Sequence, residues 1–214
     1  MTKKKSQIKT IIDRRIVELF PSAVYRARLN RSFTKEELDF IQKTKTKCYK
    51  NVGNRISLDK NILDHAPFTT LKKEMLKCID DYFTNIIDPV KPVKPYITQS
   101  WINYTEPGEF HQWHSHTNSY ISGGIYINAN KSVDKIQFQE LRYNTINILP
   151  KKLNKFNSAT HALPVETGDI IVFPSATLHH VPPTKGNHTR ISLAFNTFIK
   201  GVIGNTKSLT KLTL

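Results

Sequence analysis

The chain has 214 residues and a formal charge of +15, with 38% hydrophobic and 23% charged residues. That length suits one domain of roughly 200 residues with a real core, and the composition excludes a disordered or fibrous protein. Its two cysteines, Cys48 and Cys78, lack CxxC spacing, which excludes a cysteine-based zinc or redox motif and suits a reducing cytosol.

No stretch reaches the roughly 18 apolar residues that a membrane span requires. The basic start, Met1 to Gln7, is not followed by an apolar signal core, so a cytoplasmic protein is expected, with no membrane partner. A charge this positive attracts polyanions, nucleic acid included, and small dianions alike. The lysines are scattered, however, and no helix carries a basic stripe with interleaved aromatics. No motif therefore supports a nucleic-acid partner, and solubility explains the charge as well.

In chain order, the first predicted element is an amphipathic helix in "SFTKEELDFIQKTKTK". Thr34 stands three residues before Glu37 in a capping-box pattern, and Leu38, Ile41 and Gln42 follow at helical spacing. After a turn and a short extended piece in "VGNRISLDKNIL", a second helix is predicted from about Pro67 to Ile87. It repeats apolar residues at Leu71, Met75, Ile79, Tyr82 and Phe83. Three prolines in "DPVKPVKPY" then forbid helix. Beyond them, residues 96–104, 119–128, 134–139, 168–174 and 189–199 read as strands, and 140–162 as a long Asn- and Lys-rich loop. Helices first and short strands afterwards suggest a sandwich or small barrel with helices packed outside.

The chemistry concentrates in "EFHQWHSHTNS", residues 109–119, which holds three of the eight histidines. Pro107 and Gly108 before it, and a strand after it, favour extended backbone. Side chains then alternate, so His114 and His116 point one way and His111 the other. Such a pair can set two ligands on one side of an iron, with a third from elsewhere. Taken alone, His-x-His in a basic chain is more often exposed than metal-bound. "GDIIVFPSATLHHVPP" changes that weighing by supplying His179 and His180, of which one can join the pair; His179 is favoured. Arg190 and Ser192 then share a strand face and could grip a carboxylate together. Trp113 and Tyr120 flank the cluster, where core packing or substrate contact would account for them equally.

The stretches "SWINYTEPGEFHQWHSHTNSYISGGIYI" and "GDIIVFPSATLHHVPPTKGNHTRISLAFN" resemble the iron(II)- and 2-oxoglutarate-dependent oxygenase superfamily. Within it they look most like a prolyl-hydroxylase-like family of 2OG-Fe(II) oxygenases from marine bacteria and phages. The likeness spans about residues 96–200. It implies a mainly β fold with N-terminal helices: a double-stranded β-helix, or jelly roll, with supporting helices outside. One oxygenase domain would fill 1–214, with 1–90 as helical support, 91–200 as the β-helix core and 201–214 as a C-terminal extension. Fe(II) would be held by His114, His116 and His179. 2-Oxoglutarate would be bound by Arg190, Ser192, Tyr104 and Asn103, and O2 would be consumed. The implied reaction hydroxylates a substrate and releases succinate and CO2. A protein or peptide side chain is the favoured substrate, through the prolyl-hydroxylase-like spacing of Tyr104 and Gly108 ahead of His114; a small metabolite or nucleotide comes next.

Position 116 departs from the superfamily, which has Asp or Glu there. A neutral imidazole leaves bound iron with one more unit of positive charge, so either His116 ligates or water takes its place. Two other readings stay open: a three-histidine dioxygenase of cupin type without 2-oxoglutarate, and a non-catalytic basic β-sandwich that binds a partner. Oligomeric state is not indicated by the sequence.

Overall fold

A computed structural model of the chain describes residues 15–140, 146 and 148–214. The basic start and part of the 140–162 loop lie outside the described residues. The elements run β1 (Tyr25–Arg28), α1 (Lys35–Thr44), β2 (Cys48–Lys50), β3 (Arg55–Ser57), α2 (Thr69–Tyr82) and β4 (Val93–Thr105). Then follow β5 (His111–His114), β6 (Ile121–Asn128), β7 (Lys135–Gln139), β8 (Thr160–Pro164), β9 (Asp169–Pro174), β10 (Leu178–Val181), β11 (Arg190–Ile203) and β12 (Leu212–Thr213).

Among the described residues the strands form two sheets. The larger has the order β1-β9-β6-β11-β4-β3-β2, with β12 added to β11; the smaller has the order β5-β10-β7-β8. Every pairing between these strands is antiparallel. The mainly β, jelly-roll character expected from the sequence is present.

The centre of the larger sheet is buried on both faces, which is why β6 and β9 read as dense apolar runs. On one face Ile102, Tyr104, Ile125, Ile170, Val172, Leu193 and Phe195 pack against Leu71, Met75 and Ile79 of α2. Each of those three helix residues is fully buried, contributing roughly 1.5–3 kcal/mol by area removed from water, so packing holds α2 in place more than propensity does. The other face meets the smaller sheet through Tyr126, Ile136, Phe138, Val165, Ile171 and Phe173. Three layers result: helices, large sheet, small sheet.

α1 begins as its sequence demands. The Glu37 amide donates to Thr34 Oγ1 at 3.2 Å, and the Thr34 amide donates to Glu37 Oε2 at 2.7 Å, completing the capping box. Arg31 forks onto the same carboxylate at 2.7 and 2.8 Å, which satisfies a fully buried Glu37. Ile41 faces inward, whereas Leu38 is exposed.

The region 1–90 is more than helical support, because it adds β1, β2 and β3 to the large sheet. β1, with the sequence YRAR, escapes a search for apolar runs. Its two arginines converge on the buried Asp169 of β9, Arg26 at 2.6 Å and Arg28 at 2.9 Å. This edge strand is held by charge as well as by its ladder.

Candidate metal centre

The site lies between the sheets, and the two-residue period of each strand decides which side chains enter it. From β11 these are Arg190, Ser192 and Ala194; from β4 they are Trp101, Asn103 and Thr105. The intervening Ile102, Tyr104, Leu193 and Phe195 go to the helical side. Tyr104, expected beside the cosubstrate, is therefore turned away. It is fully buried among the helices, and its hydroxyl donates to the Ile41 carbonyl at 2.6 Å. Asn103 and Ser192 face the pocket, 3.5 Å apart, and Trp101 Nε1 donates to Asn103 Oδ1 at 3.2 Å.

His114, His116 and His179 converge, with one ligand atom from each lying within 4.8 Å of the others. Adjacent strands supply two of them, since His114 is paired directly with His179 across β5 and β10. His116 is fixed by its backbone, whose N–H donates to the Ser175 carbonyl at 2.9 Å. His180 takes the outer face, stacked on Trp113 at 3.7 Å and hydrogen-bonded to Gln137 Oε1 at 2.8 Å.

The ring orientations follow from elementary donor rules. Nδ1 of His114 lies 2.8 Å from the Gln112 carbonyl, and Nδ1 of His179 lies 2.9 Å from that of Thr177. A carbonyl only accepts, so both Nδ1 atoms carry the proton and both Nε2 lone pairs are available as ligands. Burial favours the neutral rings. It pushes His179 down to about 3 and His116 down to about 4, and lowers His114 as well; repulsion from the neighbouring His114 adds to the first two. Three neutral, converging imidazoles are a donor set that suits a divalent transition metal.

His111 also lines this pocket, contrary to strict alternation. The cause is a bulge: His179 pairs with His114 but Val181 pairs with His111, so two residues of β5, Gln112 and Trp113, oppose the single His180 of β10. The extra residue turns His111 to the same side as His114. Its ring stacks on His114 at 4.2 Å and meets Asn51 Nδ2 at 3.3 Å. Of the histidines outside the cluster, His161 is exposed. His65 pairs with Asp59 at 2.6 Å, and the half-buried His188 pairs with the buried Asp134 at 2.8 Å.

Arg190 is 3% exposed and forms no ion pair among the described residues; its Nε has no hydrogen-bond partner. Its guanidinium lies over the Tyr126 ring at 5.0 Å. Tyr126 was not singled out in the sequence, where it reads as one more aromatic residue of a buried strand. Asn54 is also unforeseen; it is buried, lines the pocket and carries an unpartnered Nδ2.

Sheet architecture and donor set together define a jelly roll enclosing a polar site suited to a transition metal. Residues 99–196 match the family described as "Putative 2OG-Fe(II) oxygenase". The matched segment carries the site, with His114, His116, His179 and Arg190 all inside it. Solved structures agree in fold. An oxidoreductase of the 2OG-Fe(II) oxygenase family from Burkholderia pseudomallei is 14% identical, with 80% of this chain and 83% of that one covered and a TM-score of 0.51. A Pseudomonas putida prolyl-4-hydroxylase is 12% identical, with 82% and 92% covered and a TM-score of 0.52. HygX from Streptomyces hygroscopicus, solved with nickel, 2-oxoglutarate and hygromycin B, is 9% identical, with 82% of each chain covered and a TM-score of 0.55. At these identities the likeness speaks to fold. No curated protein matches the chain in sequence. Among the described residues no helix is long and apolar enough to cross a membrane.

Proposed function

We propose that this chain is an Fe(II)- and 2-oxoglutarate-dependent dioxygenase that hydroxylates a side chain of a protein or peptide. The carrying observation is Arg190. A guanidinium buried without a carboxylate partner is costly, and an anionic ligand would supply the missing charge and occupy the unpartnered Nε. A dicarboxylic keto acid suits that position, because Arg190 and the histidine cluster line the same pocket.

In this reading His114, His116 and His179 hold the metal, and Arg190 with Ser192 and Asn103 orients the cosubstrate. Fe(II), 2-oxoglutarate and O2, once bound, supply the oxidising chemistry. The protein's part is positional. The Gln112 and Thr177 carbonyls fix two imidazoles, and Ile136, Ile171, Phe173 and Val181 keep the wall apolar and exclude water. Phe110 and Trp113, each 37–38% exposed on or beside β5, offer aromatic surface to a peptide. The fold shared with a prolyl-4-hydroxylase supports the same substrate class, with a small molecule as the competing outcome.

Succinate formation tests the reading. With Fe(II), 2-oxoglutarate and O2 the wild type should release succinate, and Arg190→Ala should lose on the order of a hundredfold in 2-oxoglutarate affinity, as expected for a severed buried charge contact. Metal binding without 2-oxoglutarate binding would favour the cupin-type reading, for which the imidazole at position 116 is the supporting observation. Failure to bind metal at all would leave the binding module.

A further inference from the structure

Asn54 is a polar residue of the pocket that the proposed function leaves without a task. It stands at the end of the β2–β3 hairpin, in the turn Asn51-Val52-Gly53-Asn54. That turn is rigidly seated. Gly53 has φ +84°, a Cβ there would stand 2.6 Å from the Phe110 carbonyl oxygen, and the Phe110 amide donates to the Gly53 carbonyl at 2.9 Å. Within the turn Asn54 Oδ1 accepts from Asn51 Nδ2 at 3.1 Å, and the Asn54 carbonyl accepts from the Asn51 amide at 2.8 Å.

These contacts fix the side chain and use its oxygen, while Nδ2 is left buried with no partner on a residue that is 1% exposed. A buried N–H donor without an acceptor is costly, so such a group in a pocket points to an acceptor that arrives with a ligand.

Strand register says which end of the ligand it meets. Arg55 is paired with Tyr104, which sets Asn54 level with Thr105, and Thr105 is paired with Arg190. Asn54, Thr105 and Arg190 thus stand in one row across β3, β4 and β11, and all three line the pocket. Two inter-strand spacings separate the first from the last, about 10 Å between backbones, so a ligand lying along the row can meet both side chains. Asn54 Nδ2 and Arg190 Nε are unpartnered buried donors carried by the two opposite ends of this row.

We propose that Asn54 is a second donor to the distal carboxylate of the bound keto acid, acting opposite Arg190. The assignment rests on the proposed 2-oxoglutarate reading and adds a residue from the hairpin to that subsite. It makes the N-terminal region part of cosubstrate selection.

The test is binding to the Ni(II)-loaded protein, which needs no turnover. 2-Oxoglutarate is titrated against 2-oxobutyrate, a keto acid of similar chelating chemistry that lacks the distal carboxylate. Two variants are used: Asn54→Ala removes the donor, and Asn54→Asp keeps the hairpin's Oδ1 acceptor while replacing the donor by an anionic oxygen. Both should weaken 2-oxoglutarate by about tenfold or more, the worth of a hydrogen bond to a charged group, with the Asp variant the weaker binder. Affinity for 2-oxobutyrate should stay within about twofold of wild type. Unchanged 2-oxoglutarate affinity in both variants, or an equal loss for both acids, would overturn the assignment. Arg190→Ala separates the two levels of inference. If it retains 2-oxoglutarate affinity, the cosubstrate reading itself fails; if it loses affinity while the Asn54 variants do not, only Asn54 is misassigned.

Discussion

At position 116 an imidazole stands where the wider superfamily places a carboxylate, and its ring joins His114 and His179 at 5.1 Å from each. A neutral ligand contributes a lone pair but no charge. His116→Asp should therefore bind Fe(II) or Ni(II) more tightly than wild type, and His116→Ala more weakly. His114→Ala should cost more than the roughly 10–100-fold typical of residues that merely support a ligand. Calorimetric metal titration checks the order Asp, wild type, Ala; an Ala variant equal to wild type would remove His116 from the ligand set. Arg190→Lys should not rescue Arg190→Ala, because a lysine ammonium cannot reproduce the planar fork over Tyr126.

Strand elements show where sequence reasoning succeeds and where it stops. Period-2 alternation separates Asn103 from Tyr104: both cannot face one pocket, and the structure gives the pocket to Asn103. The same rule misplaces His111, because a bulge in β5 adds one residue to the count, and nothing in "HQWH" marks it. Local signals such as the Thr34–Glu37 box are legible because both partners lie within one turn. The row Asn54–Thr105–Arg190 was not legible, because it depends on pairing between strands far apart in sequence. In β6, Gly124 lies against the β11 backbone, where an added Cβ would stand 2.8 Å from the Leu193 carbonyl oxygen. Gly124→Ala should destabilise the fold by about 1–3 kcal/mol or more, read by thermal or denaturant unfolding.

The pocket histidines, His179 buried and His111 and His116 half-buried, also make the elements around them sensitive to acid. His111 and His179 are held down to about 3 and His116 to about 4, against an ordinary value of 6.5, chiefly by burial. Between those values the unfolded chain binds protons that the folded chain does not, so stability rises with pH across that window. The metal-free protein should be most stable above pH 6.5 and lose stability as the pH falls below it. Melting temperature measured from pH 7.5 to 5 reads this, and His111→Asn should make the slope shallower. A flat profile would contradict the burial of neutral rings.

On the scale of the whole molecule, the three layers divide the labour. The helical face of the large sheet carries most of the apolar core, while the opposite face is free to carry polar groups between the sheets. A net charge of +15 adds self-repulsion and a field that draws in dianions. The central claim is that one pocket holds both a histidine-bound metal and a keto acid anchored by Arg190. Anaerobic addition of Fe(II) and 2-oxoglutarate tests it most directly, because a keto acid chelated to Fe(II) gives a weak visible charge-transfer band. The expected result is that band in the wild type and its loss in Arg190→Ala at the same 2-oxoglutarate concentration. Tight Fe(II) binding with no band at any 2-oxoglutarate concentration would contradict it.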